Sequence, residues 1–434
     1  MKHNYILSLT TAALCGVNVC TGLAGQEPSQ KDKAAGDKPP SSAQAYSTDQ
    51  AIQFFVERVQ RDPADASNNA LLGQLYVRKA RETNDFSSYD KAEAAFRAAL
   101  KVNAEEVTAQ TGLALVHCAR HQFAEGLGVA LKIQQKHPTE QMILLIIGDA
   151  QLELGNYPEA ERAYHDLRRV HPEAPVRSRL ARLAEIKGNL KEALRLMQDA
   201  ADQERGSEVT KQSGAWYDLR LAEMHYNGGH LEDAARHYEA ALKDHPAYPA
   251  ALAGLARVRA AQGKSDEAIE LYKKAVRLNP DFTSLAALGD LYAKTGQDFL
   301  ARIIYEKLDK TSTDQPPHYR ELSLYYANHD QKLPVALELA QKDLALRKDV
   351  YALDTLAWAL FKNNKSAEAA QVIGQALKVG TQEATLFYHA GIIYRAMGEK
   401  DKARDLLQRA LALNPQFCVL QADVARKALA ELSG

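Results

Sequence analysis

The 434-residue chain reads as an all-α solenoid, a stack of helical hairpins, and three observations predict it. Turn-forming residues return at a near-constant interval, apolar residues between them recur every three or four positions, and the composition favours helix. Hydrophobic residues make up 46% of the chain but aromatic residues only 7%, with Ala, Leu, Glu, Lys and Arg abundant. The balance of 54 Lys and Arg against 55 Asp and Glu, a formal net charge of −1, lacks the basic excess that phosphate neutralisation requires and argues against a nucleic-acid partner. The length suffices for a large core without disulfide or metal staples.

From the N-terminus, Lys2 and His3 precede an uncharged stretch, Asn4 to Gly25, rich in Leu, Ala, Thr and Val. This reads as an export signal over residues 1–24, with Gly22 and Ala24 supplying small residues for cleavage after Ala24. The alternative is an uncleaved membrane anchor over residues 5–24, since about 20 residues can span a bilayer. Residues 25–48 (GQEPSQKDKAAGDKPPSSAQAYST) carry almost nothing to bury and are expected to form a disordered linker. Cleavage would remove Cys15 and Cys20, leaving Cys118 and Cys418 as small apolar side chains 300 positions apart, with no disulfide framework.

The solenoid occupies 49–417. Pro138 to Pro172 and Pro246 to Pro280 are each 34 residues; Gly155 to Gly188, Gly229 to Gly263 and Gly263 to Gly296 are 33, 34 and 33. Ala160 to Ala193, Ala234 to Ala268, Ala268 to Ala301 and Ala369 to Ala403 keep the same period. Within 250–280, two apolar-periodic segments flank Gln262-Gly263-Lys264-Ser265, which predicts a hairpin. Gly263 suits the left-handed end of the first helix, and Ser265 or Asp266 can cap the second. Ala256 and Ala268 are small where the helices cross, with Leu255, Tyr272 and Ala275 around them.

These units resemble the tetratricopeptide repeat. Ile147-Gly148, Gly155, Ala160, Tyr164 and Pro172 follow its pattern, as do Leu288-Gly289, Tyr292, Gly296, Ala301 and Tyr305, and Ala390-Gly391, Tyr394, Gly398, Ala403, Ala410 and Pro415. About ten units are expected, among them 107–140, 141–173, 174–201, 215–248, 249–281, 282–315, 316–349, 350–383 and 384–417. Residues 418–434 would form the terminal capping helix that such a stack needs. The resemblance implies a right-handed superhelix whose first helices line a concave groove, and a binding role without a cofactor.

Catalytic signatures such as HExxH, GxSxG and GxGxxG do not occur in the sequence. His117 and His121 stand at i and i+4 and could share a helical face as metal ligands, the basis of a metalloprotein or enzyme alternative. The reading set against it is that His117 replaces the repeat's structural Tyr and His121 its turn Gly. His225, His230 and His237 invite the same comparison. Arg168, Arg169, Arg177, Arg179 and Arg182 could meet an acidic partner or form a solvated face.

The first helix of the ninth unit (350–364) carries two apolar stripes. Leu353, Leu356, Ala357 and Leu360 have the spacing that packing against partner helices requires, while Tyr351, Asp354, Trp358 and Phe361 run along another face. The next unit adds Tyr388, Ile392 and Arg395 at matching offsets, and the fifth offers Trp216 and Tyr226. Either this second stripe lines the groove and anchors a partner, or neighbouring helices bury it. The expectation is an extracytoplasmic, secreted or periplasmic scaffold that binds a peptide or protein. The runner-up is an accessory or assembly factor of an envelope or export complex, membrane-bound only if the N-terminal segment stays in place.

Overall fold

The computed structural model describes residues 47–83, 85–205, 211–310 and 318–433. The expected signal lies outside the described residues, as does nearly all of the linker. No helix among the described residues is long and apolar enough to cross a membrane.

Twenty-two helices and no strand occur among the described residues. The first, α1 (Thr48–Arg61), was not foreseen. Ser47 accepts from the Gln50 amide while the Gln50 side chain accepts from the Ser47 amide, a reciprocal cap that starts the helix at the end of the expected linker. Its Ile52 joins Leu72 and Leu75 in a small core. Ten hairpins follow, from α2 (Ala66–Thr83) with α3 (Ser87–Val102) to α20 (Ala384–Ala396) with α21 (Lys400–Leu413), and a single helix, α22 (Gln421–Ser433), ends the chain.

The small residues explain the hairpin geometry. A Cβ at Gly148 would collide with the Tyr164 ring, and one at Gly254 with the Tyr238 ring, so a second helix presses an aromatic onto the backbone of the first helix of its own unit or of the next. Ala256 and Ala268 are completely buried at such a crossing, beside buried Leu255, Tyr272 and Ala275. Gly263 takes φ 76° between α12 (Pro249–Ala261) and α13 (Ser265–Leu278). The capping expectation fails there: Lys264 is the cap residue, Ser265 is already helical, and no side chain caps the helix, because the turn is one residue shorter than a Ser or Asp cap would need. The eighth hairpin, α16 (Tyr319–Asn328) with α17 (Leu333–Leu346), has four residues in its turn where α12 and α13 have three, and Asp330 and Lys332 there take left-handed φ.

The stack winds far enough to meet itself. The turns within the third, fourth and fifth hairpins abut the connections that follow the eighth, ninth and tenth. The Lys348 amide donates to the Glu153 carbonyl at 2.9 Å and the Val350 amide to Tyr157 Oη at 2.8 Å. Thr381 Oγ1 donates to the Ile186 carbonyl at 2.6 Å, and Asn414 Nδ2 to the Tyr226 carbonyl at 2.8 Å. The side-chain bonds of this seam join residues 188 to 195 positions apart. At each rung a glycine with positive φ, Gly155, Gly188 or Gly229, faces a backbone carbonyl, of Lys348, Gly380 and Leu413 respectively, with which any Cβ would collide. Gly263, Gly296 and Gly398 adopt the same backbone conformation with open space beside them, so the left-handed turn alone does not account for the close approach.

Candidate partner-binding site

The aromatic stripe lies on α18 (Val350–Lys362), whose start is fixed by Asp349. The Asp349 carboxylate accepts from the Ala352 amide at 2.7 Å and from Arg320 Nη2 at 2.9 Å. Arg320 and Arg347 both donate to Asp343, at 3.0 Å each, making a buried ionic junction between the eighth and ninth hairpins. Such a pair is costly to break from one side.

Trp358 is 3% exposed. Its indole N–H donates to Asn328 Oδ1 at 2.8 Å, and its ring stacks on His389 at a centroid distance of 4.2 Å and on Phe361 at 5.4 Å. Asn328 also accepts from Gln421 Nε2 of α22 at 2.7 Å, so the C-terminal helix helps to enclose the tryptophan. Asp354 holds Nδ1 of the fully buried His389 at 3.0 Å through both carboxylate oxygens. Tyr388 packs on Trp358 and Phe417.

The stripe therefore does not line an open groove. Tyr351 meets Arg182 of α8 (Ala174–Ile186) across the interior, with Arg182 Nη1 donating to its hydroxyl at 3.4 Å and the guanidinium 5.1 Å above its ring. Asp354, Trp358, Tyr388 and Tyr226 are buried; Tyr226 donates to the Gln416 carbonyl at 3.2 Å and carries Arg257 at 4.0 Å over its ring. The physical reason is the tight winding. The space between the seam and Tyr351, beside Glu185, Asn227, Thr381 and Glu383, has a volume of about 10 Å³, room for one water. Phe361, Ile392 and Trp216 remain half-buried, and Arg395 is exposed and paired with Glu431 of α22.

Sequence reasoning missed the charged groups that share this interior, since no single helix shows that distant hairpins will meet. Burial, with Asp349 nearby, pushes the Glu153 carboxyl up to about 7 against the pull of Arg347, Arg320 and Arg182. Burial, then Asp354 and Glu185, raises Glu383 to about 7 as well. Glu185 goes the other way: Arg182 and Arg220 outweigh its burial and hold it below the usual carboxylate range.

The histidines do not assemble into the helical pair considered from spacing. Helix α4 (Val107–Ala119) ends before His121, so the i and i+4 geometry does not apply. His117 Nδ1 lies 2.8 Å from Gln122 Oε1, whereas His121, at φ 62°, is fully buried against Phe123 with neither ring nitrogen partnered. Burial, with Arg347, Arg320 and His318 nearby, holds its pKa well below the usual histidine value. His225 stacks on His237 at 5.5 Å and lies 5.7 Å from His230. Asp218 holds His237 Nδ1 at 2.9 Å, and burial, then His237, lowers His225 to about 4. Among the described residues no group of three or more His, Cys, Asp or Glu is placed to hold a metal ion.

The arginine cluster is dispersed. Arg179 is buried on Asp149, which also accepts from Tyr164; Arg182 pairs with Glu185 and Arg169 with Asp166. Cys118 is buried and Cys418 half-buried, both as free thiols.

The chain matches the tetratricopeptide repeat over residues 77–140, 147–208, 219–281 and 355–416, more than half of its length. It is 28% identical over 171 residues to Protein O-mannosyl-transferase TMTC1 of Homo sapiens, covering 38% of this chain but only 19% of that protein. Among solved structures it is similar to a tetratricopeptide repeat protein from Parabacteroides merdae (17% identity, 63% of this chain and 100% of that one, TM-score 0.35). Yeast Tom70 is also similar (12% identity, 89% and 93%, TM-score 0.36).

Proposed function

Because the chain belongs to the tetratricopeptide repeat family, we propose that it is a non-catalytic, extracytoplasmic scaffold that binds a peptide or partner protein along the concave side of its superhelix. One observation carries the reading. On neighbouring hairpins, Trp216 Nε1 and Arg257 Nε are buried donors without a protein partner. A buried donor left unpaired costs about 1–3 kcal/mol, and native proteins retain few of them. Such donors are suited to the carbonyl groups of an incoming main chain. Half-buried Phe361 and Ile392, with Arg395 at the edge, add apolar area and charge selection toward the C-terminal end. An accessory role in an envelope or export complex is a variant of the same reading.

The test begins with the full-length chain expressed with its export route intact. N-terminal sequencing should find Gly25 first. The processed protein, and a Phe361→Ala/Arg395→Ala variant of equal helicity, are then used to capture partners from an extracytoplasmic extract. The reading expects a partner held by the first and lost by the second. Retention of residues 1–24, or capture that ignores the substitutions, overturns the corresponding half of it.

A further inference from the structure

The seventh hairpin, α14 (Phe282–Lys294) with α15 (Asp298–Leu308), breaks the surface pattern of the stack. Ala301 of α15 stands in register with Ala268 of the sixth hairpin and Ala403 of the tenth, all three buried. Around that alanine the sixth hairpin exposes Asp266, Glu267 and Glu270, and the tenth exposes Asp401, Lys402 and Asp405. At the same positions α15 carries Phe299, Leu300 and Ile303, which are 67%, 38% and 48% exposed. Single apolar residues on a surface are ordinary, but three together where other units place charge mark a contact.

The eighth hairpin does not supply that contact. In the ninth, turn lies beside turn: Asn363 Nδ2 donates to the Leu333 carbonyl at 2.8 Å, and Lys362 pairs with Asp330. The turn of the eighth sits instead against the far end of α15. Lys332 Nζ donates to Asp309 Oδ1 at 2.8 Å, and His329 lies 2.8 Å from Asp290 Oδ1 of α14 with its ring 5.2 Å from Tyr305. This stagger leaves α15 scarcely touching α16, whereas every other hairpin packs its second helix along the helix that follows. The first half of α15 is an uncovered step.

The residues of the step specify what fits it. Phe299 and Ile303, four apart on one helical face, are equally distant from Ala301. Asp298 and Arg302, four apart on its flank, are exposed and have no ionic partner among the described residues. A second α15, turned antiparallel about a two-fold axis beside Ala301, lays Phe299 of each copy on Ile303 of the other and sets the two Leu300 side chains across the axis. It also brings each Arg302 to within about 3 Å, measured along the helix, of the other copy's Asp298. Apolar pairs and opposite charges thus complement themselves under one operation. We propose that this face of α15 is a homodimer interface, an isologous contact with a second copy of the chain that is separate from the concave side. One helix face falls below the roughly 1,200 Å² that stable complexes bury, so the dimer is weak and depends on concentration.

Sedimentation equilibrium of the purified chain from about 1 to about 500 µM covers the span of weak complexes. The parent should approach twice the monomer mass at the upper end. Phe299→Asp/Ile303→Asp should weaken association at least about a hundredfold with helicity unchanged. Arg302→Asp, which sets two aspartates together at each end of the contact, should weaken it about tenfold, and the swapped pair Asp298→Arg/Arg302→Asp should restore it. A parent that stays monomeric throughout overturns the proposal. So does association indifferent to Phe299→Asp/Ile303→Asp, or a swapped pair that stays weak with its helicity intact. If helicity falls in any of these variants, Leu300→Cys decides: a disulfide-linked dimer under mild oxidation supports the two-fold contact, and a chain left monomeric overturns it. None of these readouts involves the concave side, so the scaffold reading stands or falls separately.

Discussion

Replacing Trp358 by alanine tests whether the aromatic stripe is structural. The side chain is 3% exposed, stacked on His389 and bonded to Asn328. Truncating a large buried aromatic costs about 3–5 kcal/mol through lost transfer energy and the cavity left behind. The broken hydrogen bond adds little, because Asn328 keeps Gln421 as a donor. Roughly 4 kcal/mol should therefore disappear, and in a stack stabilised between neighbours it should disappear locally. Urea titration followed by circular dichroism should show an early transition, and amide exchange should place it in α16, α18, α20 and α22. Phe361→Ala, at a half-buried position, should cost about half as much. A loss below about 1 kcal/mol for Trp358→Ala, with exchange unchanged in those four helices, would refute the assignment of the stripe to the interior.

The seam glycines separate two requirements. Gly263→Ala should cost about 1–2 kcal/mol for its left-handed backbone alone, whereas Gly229→Ala, which also drives a methyl into the Leu413 carbonyl, should cost more and expand the molecule in scattering. The Glu153 carboxyl, raised in the fold from 4.5 to about 7, contributes stability that is complete below about pH 4.5 and is lost as pH rises through 7. Glu153→Gln should then raise the melting temperature at pH 8, by the equivalent of up to about 3 kcal/mol, and change little at pH 5; equal shifts at both pH values would contradict this. His121 works in the opposite sense, since its lowered pKa gives stability above pH 6.5 that fades in acid, so His121→Asn should flatten the acid side of a stability profile. Arg179→Leu strands Asp149 in the interior and should cost about 3–5 kcal/mol in denaturant titrations.

Local physics made the hairpins legible. The glycine at each tight turn, the alanine at each helix crossing and the aromatic opposite Gly148 or Gly254 express contacts within 40 residues, and periodicity exposes them. The second stripe of α18 was legible too, as a face needing cover. Its fate was not, because the cover comes from Arg182, Asn328 and Gln421, each in a different hairpin or helix. The winding angle that brings Lys348 to Glu153 sums small rotations over several units, and no single helix records that sum. Helix α1 escaped notice for a simpler reason: its reciprocal Ser47 and Gln50 cap lies at the edge of a segment whose composition reads as linker.

A solenoid with free ends can gain or lose a unit without offending the rest. Here the paired rungs set a circumference. Deleting one hairpin between the fifth and the eighth would bring Gly155 opposite Gly380 rather than Lys348, and would leave Thr381 and Asn414 facing the wrong turns. The molecule in effect counts its own repeats, so that length variation is tolerable before the third hairpin and disruptive within the loop that the seam closes.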